Sequence, residues 1–439
     1  MGALSRAFSI IRGLRSSRAK WVILCLVASA LCLEIVGVAE GFSNSLGHPI
    51  SGTYATIPSQ FVAVSSLAFP ILPYLSIAML AGALLFGVLG PTRASPVEKV
   101  HDLPNRDGSN RRLRERLVLF LAMGVAAFLV WIPRSLQTLP IGGDTLFYMS
   151  VVGTMNREGP LWAIVYTDKP FFYLFLYGMQ NASGLSTVDF FKILPIILAA
   201  GTTASAWFFV GSFYKGAAGY VSLLTATSTS LMRTSIDLYA SFFATILLFL
   251  TLGIYLRYRT EMRVRQRSLL QVMFALTLTS YWFVWALVLV MIGLAEALSK
   301  ERARRLKALL VIVLPSISVL GLFIVVALIR PPPLYWGLGS SFALYLGNTV
   351  TPVGTVTYTS ASLDLSDLGL LQYNPVVPIL AVVGLFFYRP RNFPGRTLYI
   401  WSSIMLAFSL ISTTGLHAAL LIPLPILAGI GVRKMVERL

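Results

Sequence analysis

Charged residues are scarce in this 439-residue chain, at 12%, against roughly 25% in a soluble globular protein. Acidic residues are scarcer still: 17 Asp and Glu stand against 35 Lys and Arg, for a net charge of +18. Histidine occurs three times and cysteine twice, with no spacing that suits a metal site. Cys25 and Cys32 fall in one apolar run, on one helix face, and read as small packing residues without a disulfide. The chain has no phosphate-cradling GxxxxGK[ST] loop, no HExxH, no GxSxG and no dinucleotide fingerprint. The missing loop speaks against ATP-driven pumping.

What the chain has in abundance is apolar sequence, at 56%. Apolar runs of about 18 residues or more recur along it, and such runs read as membrane-spanning helices. The expected fold is all-α, a polytopic transmembrane bundle. Spans are predicted near 21–39, 61–89, 117–133, 191–211, 217–232, 238–256, 306–328, 375–388, 397–412 and 418–432. The first follows a basic N-terminus without a usual cleavage site, so it reads as an uncleaved span. Residues 269–298 are too long for one span: a single helix would run roughly 45 Å against a hydrocarbon core of about 30 Å. Arg263, Arg265 and Arg267 precede it and Arg302, Arg304 and Arg305 follow it. Both ends therefore belong on the basic, cytoplasmic side. Two short helices meeting near Ser280-Tyr281-Trp282 satisfy this and bring the count to about 12, with both termini inside.

Under this topology only six of the 35 Lys and Arg face outward: Arg134, Arg157, Lys169, Lys192, Arg233 and Arg330. The positive charge thus orients the chain and does not mark a nucleic-acid surface. Four regions follow: a two-span extension (1–90), a basic cytoplasmic linker (91–116), a core (117–300) with outer loop 134–190, and C-terminal spans (301–439) with outer loop 329–374. Loops this long are usually functional. The first is expected to hold short amphipathic helices.

The outward loops carry the candidate chemistry. Pro140-Ile-Gly-Gly-Asp144-Thr-Leu-Phe-Tyr148 places an acid behind two glycines soon after a span; the structural alternative is that Asp144 caps the next helix. Tyr166-Thr-Asp168-Lys169-Pro170-Phe-Phe-Tyr173 sets Lys169 against the charge bias, where a phosphate supplies a reason and snorkelling from a surface helix supplies another. Arg233 and Asp237 lie four apart at the next outer turn, as an ion pair or with Arg233 facing the same cavity as Lys169. Arg330 and His417 are further outward candidates.

The order of these elements resembles the GT-C superfamily of membrane glycosyltransferases. It is nearest the branch of protein O-mannosyltransferases and lipid A aminoarabinose transferases. The resemblance covers about 117–300 and includes Phe190-Phe-Lys-Ile-Leu-Pro195, the Phe213-Tyr-Lys-Gly turn and the Arg233/Asp237 segment. It implies a GT-C fold and transfer of a sugar from a polyprenyl-phosphate carrier to a hydroxyl acceptor on the non-cytoplasmic face. The partners it implies are that donor lipid and a hydroxyl-bearing lipid, glycan or protein, most naturally at the plasma membrane. Asp144 maps to the catalytic acid, with Asp168 in reserve. Lys169 maps to the lysine that holds the carrier phosphate, and the Arg233/Asp237 turn matches a family pattern; Arg330, Tyr148 and His417 join them as candidates from their place in the outward segments. Family members often carry Asp-Glu where this chain has Asp144-Thr145. No metal ligands are therefore assigned, and a divalent cation stands only as an option the family offers. The missing Trp-Trp-Asp motif argues against an oligosaccharyltransferase. Residues 1–116 have no counterpart in the family pattern.

The main rival is a secondary transporter or a lipid or glycolipid flippase. Such proteins place ionisable groups within spans and show internal repeats. Here Glu34 and Glu296, both near span ends, are the only acids in the spans, and the polar groups gather outside.

Overall fold

The computed structural model describes residues 108–135, 143–167, 169–236, 238–329, 376–388, 390, 392–409 and 421–437. The expected spans 21–39 and 61–89 and the outer segment 330–375 lie outside them, so the count of 12 spans extends beyond what is described. Among the described residues all regular structure is helical.

Helix α1 (Gly108–Ser135) is 28 residues long, about 42 Å at 1.5 Å per residue. Residues 108–116, the last part of the expected linker, are continuous with the span helix. Arg, Glu and Leu are good helix formers, so the basic end carries the helix past the hydrocarbon core. The first outer segment then folds as α2 (Gly143–Glu158), α3 (Trp162–Tyr166) and α4 (Pro170–Ser183). Gly184 ends α4 at φ 65°, a left-handed backbone that glycine adopts without strain. Ser186 immediately caps α5 (Thr187–Gly211), its Oγ accepting from the Asp189 amide at 3.1 Å. The span expected from residue 191 therefore begins four residues earlier.

The expected span 217–232 is interrupted. After a 3-10 turn (Lys215–Ala217) come α6 (Ala218–Ala226) and α7 (Thr229–Ile236). Nine residues rise only about 14 Å, too little to cross a bilayer alone. Ser and Thr side chains offer the backbone competing hydrogen bonds. Here the buried Ser228 Oγ accepts from the Leu231 amide at 3.3 Å and starts α7.

Helix α8 (Tyr239–Tyr258) is the centre of the bundle, packed on α5, α7 and the next two helices. Those are α9 (Val264–Ser280) and α10 (Trp282–Ala297), separated by extended backbone at Tyr281 (φ −165°, ψ 98°). The predicted break falls at that residue. Helix α11 (Arg302–Ile329) packs on both and turns Leu310, Leu314, Leu322 and Val325 outward. Among the described residues, α5, α8 and the Arg302–Leu322 part of α11 are long and apolar enough to cross a membrane. With apolar side chains facing out, the chain is an integral membrane protein.

Helices α12 (Val376–Phe387), α13 (Phe393–Ser409) and α14 (Leu424–Val436) complete the bundle. Helices α12 and α14 touch backbone to backbone: a Cβ on Gly384 would sit 1.9 Å from the Leu427 carbonyl oxygen, and one on Gly431 would sit 2.5 Å from that of Leu380. Without a hydrophobic drive between helices in lipid, small residues that allow close approach hold such a pair.

Candidate active site

The short helices place an aromatic centre at the N-terminal ends of α5 and α8. The Tyr148 ring stacks on Tyr239 at 5.5 Å between centroids and meets Phe172 edge-on at 5.6 Å and Tyr173 at 6.1 Å. Phe191 also stacks on Tyr239 at 6.2 Å, and Phe243 meets Phe172 at 5.8 Å and Phe175 at 4.5 Å. Tyr148, Phe172, Tyr173, Phe191 and Tyr239 are buried. Offset and edge-on ring pairs of this kind add about 0.5–1.5 kcal/mol each beyond burial, so the centre is rigid.

Polar groups fix the rings in turn. Thr145 is fully buried and its hydroxyl donates to the Tyr239 oxygen at 2.9 Å. This is the position where the GT-C pattern often has a second acid, and here it is engaged in holding α2 to α8.

Arg134, in the last turn of α1, is 4% exposed. Its guanidinium donates to the Val130 carbonyl at 2.7 Å, to the Ser235 carbonyl, and meets the Tyr239 hydroxyl. This cation, counted among the outward charges, is built into the protein, joining α1 to the C-terminal turn of α7. The sequence offered one sign of this, a positive charge at the outward end of a span against the charge bias.

Lys169 is half-buried and occupies the N-cap position of α4. Its ammonium lies 5.5 Å from the centroid of the Tyr281 ring, within cation–π range. That contact puts the α9–α10 break on the same side as the first outer loop.

Of the residues singled out in the sequence, Tyr148 and Lys169 have described side chains. Asp144 is the second residue of α2, in its first turn and beyond the cap, where exposed N–H groups favour a carboxylate. Arg233 lies within α7. The side chains of Asp144 and Arg233, and all of Asp168, Asp237, Arg330 and His417, lie outside the described residues. The chain segments nonetheless meet. Tyr148 stands one turn from Asp144, Tyr173 one turn from Lys169, and Tyr239 two residues from Asp237, and these three rings are in mutual contact through Tyr148. Among the described residues no cluster of three or more His, Cys, Asp or Glu is placed to hold a metal ion.

This architecture is a helical bundle with a run of short helices at one end. Two solved structures share it. One is the oligosaccharyltransferase of Archaeoglobus fulgidus in its apo form, with a TM-score of 0.54 and 13% identity over 76% of this chain and 52% of that one. The other is the archaeal oligosaccharyltransferase AglB from Archaeoglobus fulgidus, in complex with an inhibitory peptide and a dolichol-phosphate. It gives a TM-score of 0.52 and 14% identity over 75% of this chain and 51% of that one. The match spans about half the length of those proteins. At such identities what is shared is the fold. No protein-family model matches the sequence, and no curated protein does.

Proposed function

We propose that the chain is a membrane glycosyltransferase that moves a sugar from a polyprenyl-phosphate carrier to a hydroxyl acceptor at the non-cytoplasmic face. The observation that supports it most is the Tyr148 centre, which gathers the Asp144, Lys169 and Asp237 segments at one end of a GT-C bundle. One solved structure of that fold holds a dolichol-phosphate, a lipid phosphate of the proposed class.

In this reading the acceptor oxygen attacks the anomeric carbon as the carbon–oxygen bond to the carrier phosphate breaks, inverting the configuration. Asp144 takes the acceptor proton as general base, with Asp168 as reserve. The phosphate leaves with the bonding electrons, and Lys169, Arg233 and Arg330 stabilise its charge. Asp237 orients Arg233, Tyr148 holds the centre, and His417 is a supporting group. No step requires a cofactor, and a divalent cation remains an option to assay. The absence of Trp-Trp-Asp favours the O-mannosyltransferase or aminoarabinose transferase branch over the oligosaccharyltransferases whose fold the chain shares. Both termini are taken as cytoplasmic and the membrane as the plasma membrane.

The transporter reading has one observation in its favour, the broken α6–α7 pair. Against it, the buried ion pair Arg259–Glu296 lies at the end of the bundle and not at mid-depth, where transported ions bind. The test is transfer of labelled sugar from a polyprenyl-phosphate donor in membrane vesicles. Asp144→Asn is expected to lower turnover about 10²–10⁴-fold, the usual worth of a general base, with the protein still folded and inserted. Unchanged turnover removes Asp144 from the mechanism. Transport without transfer replaces the proposal by its rival.

A further inference from the structure

The opposite end of the bundle holds a polar cavity, remote from the aromatic centre. It has a volume of about 230 Å³ and is walled by four cations: Arg259 after α8, Lys300 and Arg305 around the start of α11, and Arg396 in the first turn of α13. Phe393 and Ser299 complete it, with Glu301 as the acid on its wall. This is the end that carries Arg263, Arg265, Arg267, Arg302 and Arg304.

The three arginines are held in place by the protein. Glu296, fully buried, accepts from Arg259 Nε and Nη2 at 3.0 Å each and from the Tyr255 hydroxyl at 2.9 Å. The Arg259 guanidinium lies flat on Phe393, 3.8 Å from the ring centroid. Arg305 pairs with Glu301 at 3.1 Å and also donates to the Arg259 carbonyl. Arg396 donates to the Leu298 carbonyl at 2.6 Å. Glu296 is already saturated and Glu301 is half exposed to solvent. The cavity therefore keeps an excess of positive charge on fixed guanidinium groups. The Ser299 Oγ is buried there with no hydrogen-bond partner. Such a hydroxyl destabilises the fold unless something bonds it.

Arginine forks, an ammonium and a buried hydroxyl suit the tetrahedral oxygens of a phosphate. Beside the cavity, Leu298 is 66% exposed and Leu294, one turn into α10, is 47% exposed. An apolar strip that leads from a cationic cavity along a membrane helix suits an acyl chain, and basic pockets between helices on this side of a membrane take anionic head groups.

We infer that this cavity is a binding site for the phosphate head group of an anionic phospholipid, whose acyl chain lies along Leu298 and Leu294. It is separate from the proposed donor site, and its test does not depend on glycosyl transfer.

The experiment is thermal unfolding of the purified full-length chain in neutral detergent, titrated with short-chain phosphatidylglycerol, phosphatidylcholine of equal chain length, or inorganic phosphate. Phosphatidylglycerol is expected to raise the midpoint by about 2–4 °C, phosphatidylcholine and inorganic phosphate to leave it unchanged. Ser299→Ala with Lys300→Gln is expected to abolish the shift. These substitutions remove an unbonded hydroxyl and an exposed ammonium, so the fold should stand, and Lys300→Gln alone serves if the pair does not fold. Arg267→Gln, exposed and outside the cavity, is expected to keep the shift. An equal shift with phosphatidylcholine, a shift reproduced by inorganic phosphate, persistence in the cavity variants, or equal loss in Arg267→Gln each overturns the inference.

Discussion

The ammonium of Lys169 sits 5.5 Å from the centre of the Tyr281 ring, joining the first outer loop to the break between two helices more than a hundred residues later. Lys169 is thereby aimed from the N-cap of α4 and is not left to swing on a flexible stem. A cation held over a ring gains about 0.5–2 kcal/mol, more where water is excluded. Tyr281→Leu is therefore expected to raise the KM for the lipid donor several-fold with kcat less affected, and Tyr281→Phe to stay near wild type. Steady-state kinetics on both variants check this. Equal losses in the two would assign the effect to the hydroxyl and not to the ring face.

Arg134 ties the end of α1 to the Ser235 carbonyl of α7. Arg134→Met removes these bonds and leaves buried acceptors bare, at about 1–3 kcal/mol. The expected result is a lower unfolding midpoint together with reduced turnover, since Ser235 lies two residues from Arg233. Lysine keeps the charge but not the fork, so Arg134→Lys should recover little.

Gly384 has no room for a methyl group against the Leu427 carbonyl. Gly384→Ala must push α12 and α14 apart, at a cost of about 1–3 kcal/mol or more. The yield of folded protein in detergent and its unfolding midpoint should both fall. Gly293→Ala, with open space around its Cβ position, is the control.

At the basic end, Glu437 accepts from Arg433 and Lys434 at 2.8 and 2.9 Å and from the Tyr214 hydroxyl at 2.8 Å. Burial by itself would raise the Glu437 carboxyl, but the hydrogen bonds from Lys434 and Tyr214 and the neighbouring cations outweigh it and hold it below the usual carboxylate range. Tyr214 is pushed up to about 12, first by burial and then by its bond to Glu437. A depressed carboxyl stabilises the fold above its unfolded value and loses that contribution as pH falls through the folded value. A raised phenol stabilises below pH 10 and loses it as pH rises towards 12. Wild type should therefore exceed Glu437→Gln in unfolding midpoint at pH 7 and converge with it in acid. Tyr214→Phe should narrow its deficit above pH 10.

The break at Tyr281 was legible because arginine clusters on both sides demand that the chain return to the side it left. The short helices α2–α4 were legible because residues 134–190 keep aromatics but lack a spanning run. The interruption at Thr227-Ser228 was not legible. Both residues are ordinary in an apolar helix, and Ser228 becomes a cap only once the Leu231 amide is presented to it. The start of α5 was misplaced by four residues because Ser186 caps through a local bond that hydropathy does not register. For the candidate site, Asp144 and Lys169 are proposed from glycine, proline and a cation against the charge bias. The stacking of Tyr148 on Tyr239 was not legible, since nothing local to either residue announces a partner so distant in the chain. Arg134 was counted as an outward charge, although its burial follows from acceptors that α7 brings to it.

The backbone contact between α12 and α14 has a mechanical consequence. Two helices whose carbonyls abut glycine have no side-chain layer between them to slide or compress, so they behave as one stiff strut. The places where the chain can flex lie elsewhere: the turn at Thr227-Ser228 between α6 and α7, and the extended residue between α9 and α10 that carries the Tyr281 ring. One arm of the bundle is rigid and the other jointed. A hinge at Tyr281 would swing the surface against which Lys169 rests while leaving the strut still.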